Sequence, residues 1–158
     1  MFLAGSDSRP YSIAVGDFNR DGNLDLAVAS GCCPGAGLTI LLGRGDGTFE
    51  PGVYYAAGDQ PYSVVAADFN HDGNLDLAVA NSLSPYLTIL LGNGDGTFRA
   101  GPQAPALEQP AVFVTEGDFN GDGIPDLATV GSNIISVFLG NGDGTFQNAL
   151  LSHHSPSG

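Results

Sequence analysis

Short apolar runs, broken by Gly, Asp, Asn and Pro, recur along the chain in a repeating order. The first set is Ser12–Gly16, Leu24–Ser30, Leu38–Leu42 and Phe49–Ala56. The second is Ser63–Ala67, Leu75–Asn81, Leu87–Leu91 and Phe98 to about Ala104, and the third is Val112–Gly117, Pro125–Val130, Ile134–Leu139 and Phe146–Leu151. Within Leu24–Ser30, Leu24, Leu26 and Val28 fall on one face and the small Ala27 and Ala29 on the other, which is the period of a strand. No stretch keeps a 3.6-residue period, so the chain reads as all-β with essentially no helix. Runs such as LTILL are continuous rather than alternating, which predicts sheets covered on both faces.

Two punctuation marks divide each set. Between the third and fourth runs stand Gly43–Phe49 (GRGDGTF), Gly92–Phe98 (GNGDGTF) and Gly140–Phe146 (GNGDGTF). Asp-Gly between apolar runs signals a hairpin turn. Four strands in a period of ~50 residues are the signature of a β-propeller blade. The expected architecture is therefore three blades of four antiparallel strands, over about residues 9–58, 59–108 and 109–151, with a polar tail at 152–158. Gly16, Ala67 and Gly117 occupy matching places in the first strand, which suits an inner strand crowded near a propeller axis.

The other mark is an acidic loop between the first and second runs. It reads DFNRDGNLD from Asp17 to Asp25, DFNHDGNLD from Asp68 to Asp76 and DFNGDGIPD from Asp118 to Asp126. Each copy has Asp, Asn, Asp and Asp at positions one, three, five and nine, and Gly at six. Carboxylates so crowded repel, by about 4 kcal/mol per pair at ~4 Å and an effective dielectric near 20. A divalent cation reverses the sign of that term. Alternate residues turn Asp17, Asn19 and Asp21 inward, Gly22 permits the bend, a backbone carbonyl near Asn23 adds a ligand and Asp25 closes the site. An all-oxygen set on a flexible loop suits calcium better than magnesium, which demands stricter geometry. An EF-hand is a poor match, because position twelve is Val28, Val79 or Thr129 rather than Glu and the flanks read as strands. A single copy could be a plain turn; three copies with one ligand set favour metal.

Charge agrees with this reading. The formal net charge of the 158 residues is −13, with four Lys plus Arg against 17 Asp plus Glu. More than half of the acidic side chains lie in the three loops, so the acidity is mostly site charge. A hydrophobic fraction of 42% excludes a disordered acidic chain, and the basic footprint of a nucleic-acid binder is absent. No apolar run reaches membrane-spanning length, and no signal peptide is visible. Phe2–Gly5 before Arg9-Pro10-Tyr11 aligns with Tyr54–Gly58 before Gln60-Pro61-Tyr62, as the last strand of a preceding blade would. Three blades are too few to close a ring of about 4–8. The expectation is a segment of a longer chain, with completion by identical copies as the alternative.

Other residues take ordinary readings. The adjacent Cys32 and Cys33 have no counterpart in the other repeats and read as unpaired loop thiols. Arg44-Gly45-Asp46 is a hairpin turn with one Arg in place of Asn, rather than a recognition tripeptide. Asp46, Asp95 and Asp143 are expected to hold their turns by local hydrogen bonds. Phe18, Phe69 and Phe119 read as anchors between blades. Tyr11 and Tyr62 read as packing residues, with a ligand groove as the alternative. His71, at the variable fourth loop position, reads as exposed. Glu116 aligns with Val15 and Ala66 on the inner strand and has no assigned role. No Ser, Cys or His recurs in a nucleophile context, and His153 and His154 sit in the tail, so no enzyme is indicated.

DFNxDGNLDLAVA followed by LLGxGDGTF resembles the FG-GAP or VCBS-type repeat, over about residues 9–150. That repeat builds the calcium-binding propellers of integrin α-subunits, some fungal lectins and many bacterial surface proteins. The resemblance implies one calcium per repeat, three in all. The implied ligands are Asp17, Asn19, Asp21 and Asp25, then Asp68, Asn70, Asp72 and Asp76, then Asp118, Asn120, Asp122 and Asp126. The position-seven carbonyls are those of Asn23, Asn74 and Ile124. The third copy departs at Ile124-Pro125, where the proline starts a strand and removes no side-chain ligand. The implied function is an extracellular, cell-surface or periplasmic calcium-stabilised module that mediates binding or adhesion to a protein or glycan. A glycan-binding lectin module and a scaffold attached to a larger secreted enzyme are the alternatives.

Overall fold

The computed structural model describes residues 9–31 and 36–153. Phe2–Gly5, the Cys32-Cys33 pair and His154 lie outside the described residues. Among the described residues there is no helix, and twelve strands form three separate four-stranded antiparallel sheets. The first contains β1 (Pro10–Gly16), β2 (Asp25–Ser30), β3 (Gly37–Leu41) and β4 (Val53–Tyr55). The second contains β5 (Pro61–Ala67), β6 (Asp76–Asn81), β7 (Leu87–Gly92) and β8 (Phe98–Ala100). The third contains β9 (Phe113–Gly117), β10 (Asp126–Val130), β11 (Ile134–Phe138) and β12 (Leu150–His153). Each sheet is a meander in sequence order, and the three are blades of an unclosed propeller.

The register repeats from blade to blade. Val15 pairs with Leu26, Ala66 with Leu77 and Glu116 with Leu127. The first strands stand side by side, β1 against β5 and β5 against β9. These are the inner strands expected from Gly16, Ala67 and Gly117. A side chain at Gly16 would strike Leu75 of the next blade, its Cβ lying 2.5 Å from Leu75 Cδ1.

Strand alternation sorts the side chains into two interblade cores. Between blades one and two, Phe18, Ala29, Leu38 and Ile40 meet Val64, Leu77, Val79 and Leu90. Between blades two and three, Phe69, Ala80, Leu87 and Ile89 meet Val114, Leu127, Phe138 and Phe146. In β6, Leu77 and Val79 feed the core shared with blade one, and Ala78 and Ala80 the core shared with blade three. Both faces of the middle sheet are covered, which is why every residue of β6 is buried. Edge-on aromatic pairs pin each joint: Phe18 on Phe98 and Phe69 on Phe146, with centroids 5.5 Å apart in both.

The fourth strands are shorter than the apolar runs predicted. Phe49 and Phe146 each close their turn through an isolated bridge, to Gly43 and Gly140, and the ladder resumes only at Val53 and Leu150. Pro51-Gly52 interrupts the first of these, since proline cannot donate to a ladder. In blade two the strand stops at Ala100, before Gly101-Pro102. The segment beyond it packs Ala104, Leu107 and Ala111 onto the second interblade core. The last strand runs to His153, past the expected end at Leu151.

Candidate metal centres

All three acidic loops join the first strand of a blade to its second, so all three lie at the same end of their sheets. Their local fold is set by side chains capping the loop's own amides. In the first copy the amides of Asp21 and Gly22 donate to the two Asp17 carboxylate oxygens at 3.1 and 3.0 Å. The Asp21 amide also reaches Asn19 Oδ1 at 3.1 Å. The Asn19 side-chain amide donates to Asp21 Oδ2 at 2.8 Å, and the Asn23 amide to Asp21 Oδ1 at 2.7 Å. The same bonds recur around Asp68, Asn70 and Asp72 and around Asp118, Asn120 and Asp122. The side chains at positions one, three and five therefore converge on one short loop. Gly22, Gly73 and Gly123 take φ of 87°, 83° and 84°, which a side chain would strain.

Donated amide hydrogens hold these carboxyls in the charged form. The Asn23 amide, then the Asn19 side chain, lowers the pKa of Asp21 below its usual 3.8. Burial works to raise that of Asp72, but the Asn74 amide and the Asn70 side chain carry it below 3.8. The Gly123 amide does the same for Asp118.

The ninth-position aspartates are placed differently. Asp25, Asp76 and Asp126 are fully buried. Each accepts one amide from the loop's second residue and one from the glycine that opens the Gly-Asp-Gly turn. For Asp25 these are Phe18 at 2.8 Å and Gly43 at 2.7 Å. For Asp76 they are Phe69 at 3.0 Å and Gly92 at 2.8 Å, and for Asp126 they are Phe119 and Gly140, both at 2.8 Å. These carboxylates clamp the acidic loop to the hairpin turn. That clamp accounts for the recurring glycine: a Cβ at Gly43 would lie 2.2 Å from the Leu24 carbonyl oxygen, and one at Gly92 2.2 Å from that of Leu75. Among the described residues, no three His, Cys, Asp or Glu side chains close into one metal-holding group. Asp76 nevertheless stays in electrostatic contact with its loop. Burial raises its pKa to about 6 against the pull of its two amides, and the charges of Asp72 and Asp68 push the same way as burial.

The donor set fits a hard cation in its chemistry. It is oxygen throughout, and a carboxylate oxygen that accepts one amide hydrogen retains a second lone pair. Side-chain oxygens converge at positions one, three and five; position nine is engaged by backbone amides.

Two features were not foreseen. Arg20 and His71, at the variable fourth position, both adopt positive φ, of 59° and 56°. The Arg20 guanidinium donates to the Gly73 carbonyl of the next acidic loop, whereas His71 is exposed as expected, beside Gly142 of the next turn. The only available signal was that a long side chain sits where Gly121 stands in the third copy. Asp46, Asp95 and Asp143 hold their turns as expected. Each accepts both the hydroxyl and the amide of the threonine two residues on, which lowers all three pKa values. Arg44 pairs with Glu50 at 3.8 Å, so Arg44-Gly45-Asp46 forms a turn. Tyr11 and Tyr62 stack across the first joint, centroids 4.4 Å apart, and both keep an exposed face. Glu116 is exposed on β9.

An FG-GAP-like repeat model matches residues 17–79, 72–129 and 118–157. The chain belongs to the FG-GAP-like repeat family. No curated protein matches this FG-GAP-like chain in sequence. Among solved structures it is similar to an Agrocybe aegerita lectin described as recognising non-reducing terminal N-acetylglucosamine. That match has a TM-score of 0.59 and 26% identity, over 86% of this chain and 36% of the lectin. It also shares its fold with part of the Photorhabdus luminescens Tc holotoxin pore, at a TM-score of 0.52 and 20% identity, over 92% of this chain and 7% of that one. The FG-GAP-like repeats thus span about a third of the lectin's length.

Proposed function

We propose that this propeller module binds calcium in its three acidic loops and serves in binding or adhesion rather than catalysis. The observation that carries the reading is the threefold recurrence of one oxygen-donor loop with one internal hydrogen-bond pattern. Asp17, Asn19 and Asp21, with the carbonyl of Asn23, would hold the first ion. Asp68, Asn70, Asp72 and Asn74 would hold the second, and Asp118, Asn120, Asp122 and Ile124 the third. Asp25, Asp76 and Asp126 would stand behind them as buried counter-charges and ligands. Bound calcium supplies charge neutralisation and loop rigidity; this chain's residues supply position. We place the module outside the cytoplasm, where abundant calcium would keep such loops loaded. Isothermal titration tests the reading. Calcium is expected to bind at three sites per chain, and Asp72→Ala to leave two. Absence of calcium uptake by the wild type overturns it.

A lectin-like role is the second reading, favoured by the lectin neighbour and by the exposed Tyr11–Tyr62 stack. Aromatic faces of this kind suit the apolar face of a sugar ring. The expected result is retention on a glycan array in calcium, reduced at least about tenfold in Tyr62→Ala, a loss of roughly 1.4 kcal/mol. A blank array counts against the lectin role and in favour of a protein partner.

A further inference from the structure

The fourth residue of every acidic loop takes a left-handed backbone conformation. Gly121 does so at φ 80°, where glycine is at ease, but Arg20 and His71 do so at 59° and 56°. A side chain held there costs free energy that glycine avoids, and such outliers persist where the surroundings fix them. Both side chains reach the same place, the hairpin turn of the next blade. A Cβ added at Gly94 would lie 3.6 Å from Arg20 Nε, and one at the matching Gly142 would lie 3.2 Å from His71 Nδ1. Arg20 goes further, because its guanidinium donates to the Gly73 carbonyl. Arg20 stands between Asn19 and Asp21, and Gly73 between Asp72 and Asn74. The bond therefore ties the middle of one acidic loop to the middle of the next.

We infer that Arg20 is a positioning residue that couples the first two loops, so that calcium in either raises the affinity of the other. The inference rests on the calcium reading above. Its support is the set of contacts through which the two loops already touch. The Gly96 amide donates to the Phe18 carbonyl at 3.0 Å, and a Cβ at Gly96 would come 3.4 Å from that of Asn19. The turn that carries Gly96 is held by Asp76, which accepts the Gly92 amide at one oxygen and the Phe69 amide at the other. Loop one thus rests on turn two, turn two is clamped to loop two, and Arg20 links loop one directly to loop two. Drawing Asn19 and Asp21 onto an ion would fix the backbone at Arg20, and with it the guanidinium on Gly73. Coupling of this kind is reciprocal between the two sites.

The second joint is the internal comparison. It repeats the backbone bond, from the Gly144 amide to the Phe69 carbonyl at 3.0 Å, and the clamp, now made by Asp126, with His71 in place of Arg20. Bare charge predicts the opposite sign for Arg20. A guanidinium beside an acidic loop repels calcium, so its removal would tighten binding.

The test is calcium titration of the 158-residue chain followed by amide nuclear magnetic resonance. Gly22, Gly73 and Gly123 each donate to the first aspartate of their own loop, so their amide shifts read the three loops separately. Arg20→Gly places in loop one the residue that loop three carries at the same position, and so preserves the loop's conformation. It is expected to weaken calcium binding read at Gly22 and Gly73 about fivefold, the low end for coupled sites, and to leave Gly123 unchanged. Asp21→Ala is expected to weaken binding read at Gly73 by the same factor, and to have no further effect there once Arg20→Gly is present. Asp72→Ala is expected to do the same to binding read at Gly22. Tighter binding in Arg20→Gly, equal weakening at all three glycines, or binding at Gly73 that ignores Asp21→Ala overturns the coupling and leaves the calcium reading standing. Three amides that do not respond to calcium overturn both.

Discussion

Chelating calcium is expected to lower the melting temperature of this chain by tens of degrees. Without metal, each loop gathers carboxylates that the unfolded chain lets separate, so calcium favours the folded state. A site held at about 100 times its dissociation constant adds ~2.7 kcal/mol. Three sites add ~8 kcal/mol, a large part of a domain's total of about 5–15 kcal/mol. At about 2–4 °C per kcal/mol for a chain of this size, the shift is about 16–32 °C. The loops' own amides also bind Asp17 and its counterparts, and calcium adds to that local stability. Differential scanning calorimetry checks the effect. Asp21→Ala, Asp72→Ala and Asp122→Ala are each expected to remove about a third of it, and magnesium at equal concentration to restore it only weakly. If the wild type melts at one temperature with and without calcium, the acidic loops are plain turns.

The contrast between loop positions five and nine shows what a sequence exposes and what it hides. Asp21 and Asp25 look alike in a ligand pattern. Asp21 binds residues two positions away, and so its role is local and legible. The role of Asp25 depends on the Gly43 amide, 18 residues off, which meets it only after the hairpin has folded back. The strands were legible because three copies average out the ambiguity of any single apolar run. The fourth strands were not, because Phe49 and Phe146 look like strand residues and serve as turn clamps. Arg20 was unreadable for a related reason: its partner is a backbone carbonyl in another repeat, and carbonyls leave no mark in a sequence. A repeat states what each blade offers its neighbours, and it is silent on which neighbours are there.

That last point yields the other large effect, a position-matched comparison of one residue in three surroundings. Phe18, Phe69 and Phe119 each follow the first aspartate of an acidic loop, within the same Asp-Phe-Asn triplet. Phe69 is sealed between blades two and three against Phe146, and Phe18 between blades one and two against Phe98. Truncating a sealed Phe to Ala removes its burial and leaves a cavity in a packed core, at a cost of about 3–5 kcal/mol. Phe119 faces outward from the last blade, and truncation of an exposed side chain costs within about 0.5 kcal/mol. Urea unfolding of Phe18→Ala, Phe69→Ala and Phe119→Ala in saturating calcium is expected to order the three in that way. The first two should lose at least a third of the stability of a domain of about 5–15 kcal/mol if it lies at the lower end of that range. The third should unfold with the wild type. Equal losses at all three positions would show that blade three is covered within the single chain, and the open-propeller arrangement would have to be abandoned.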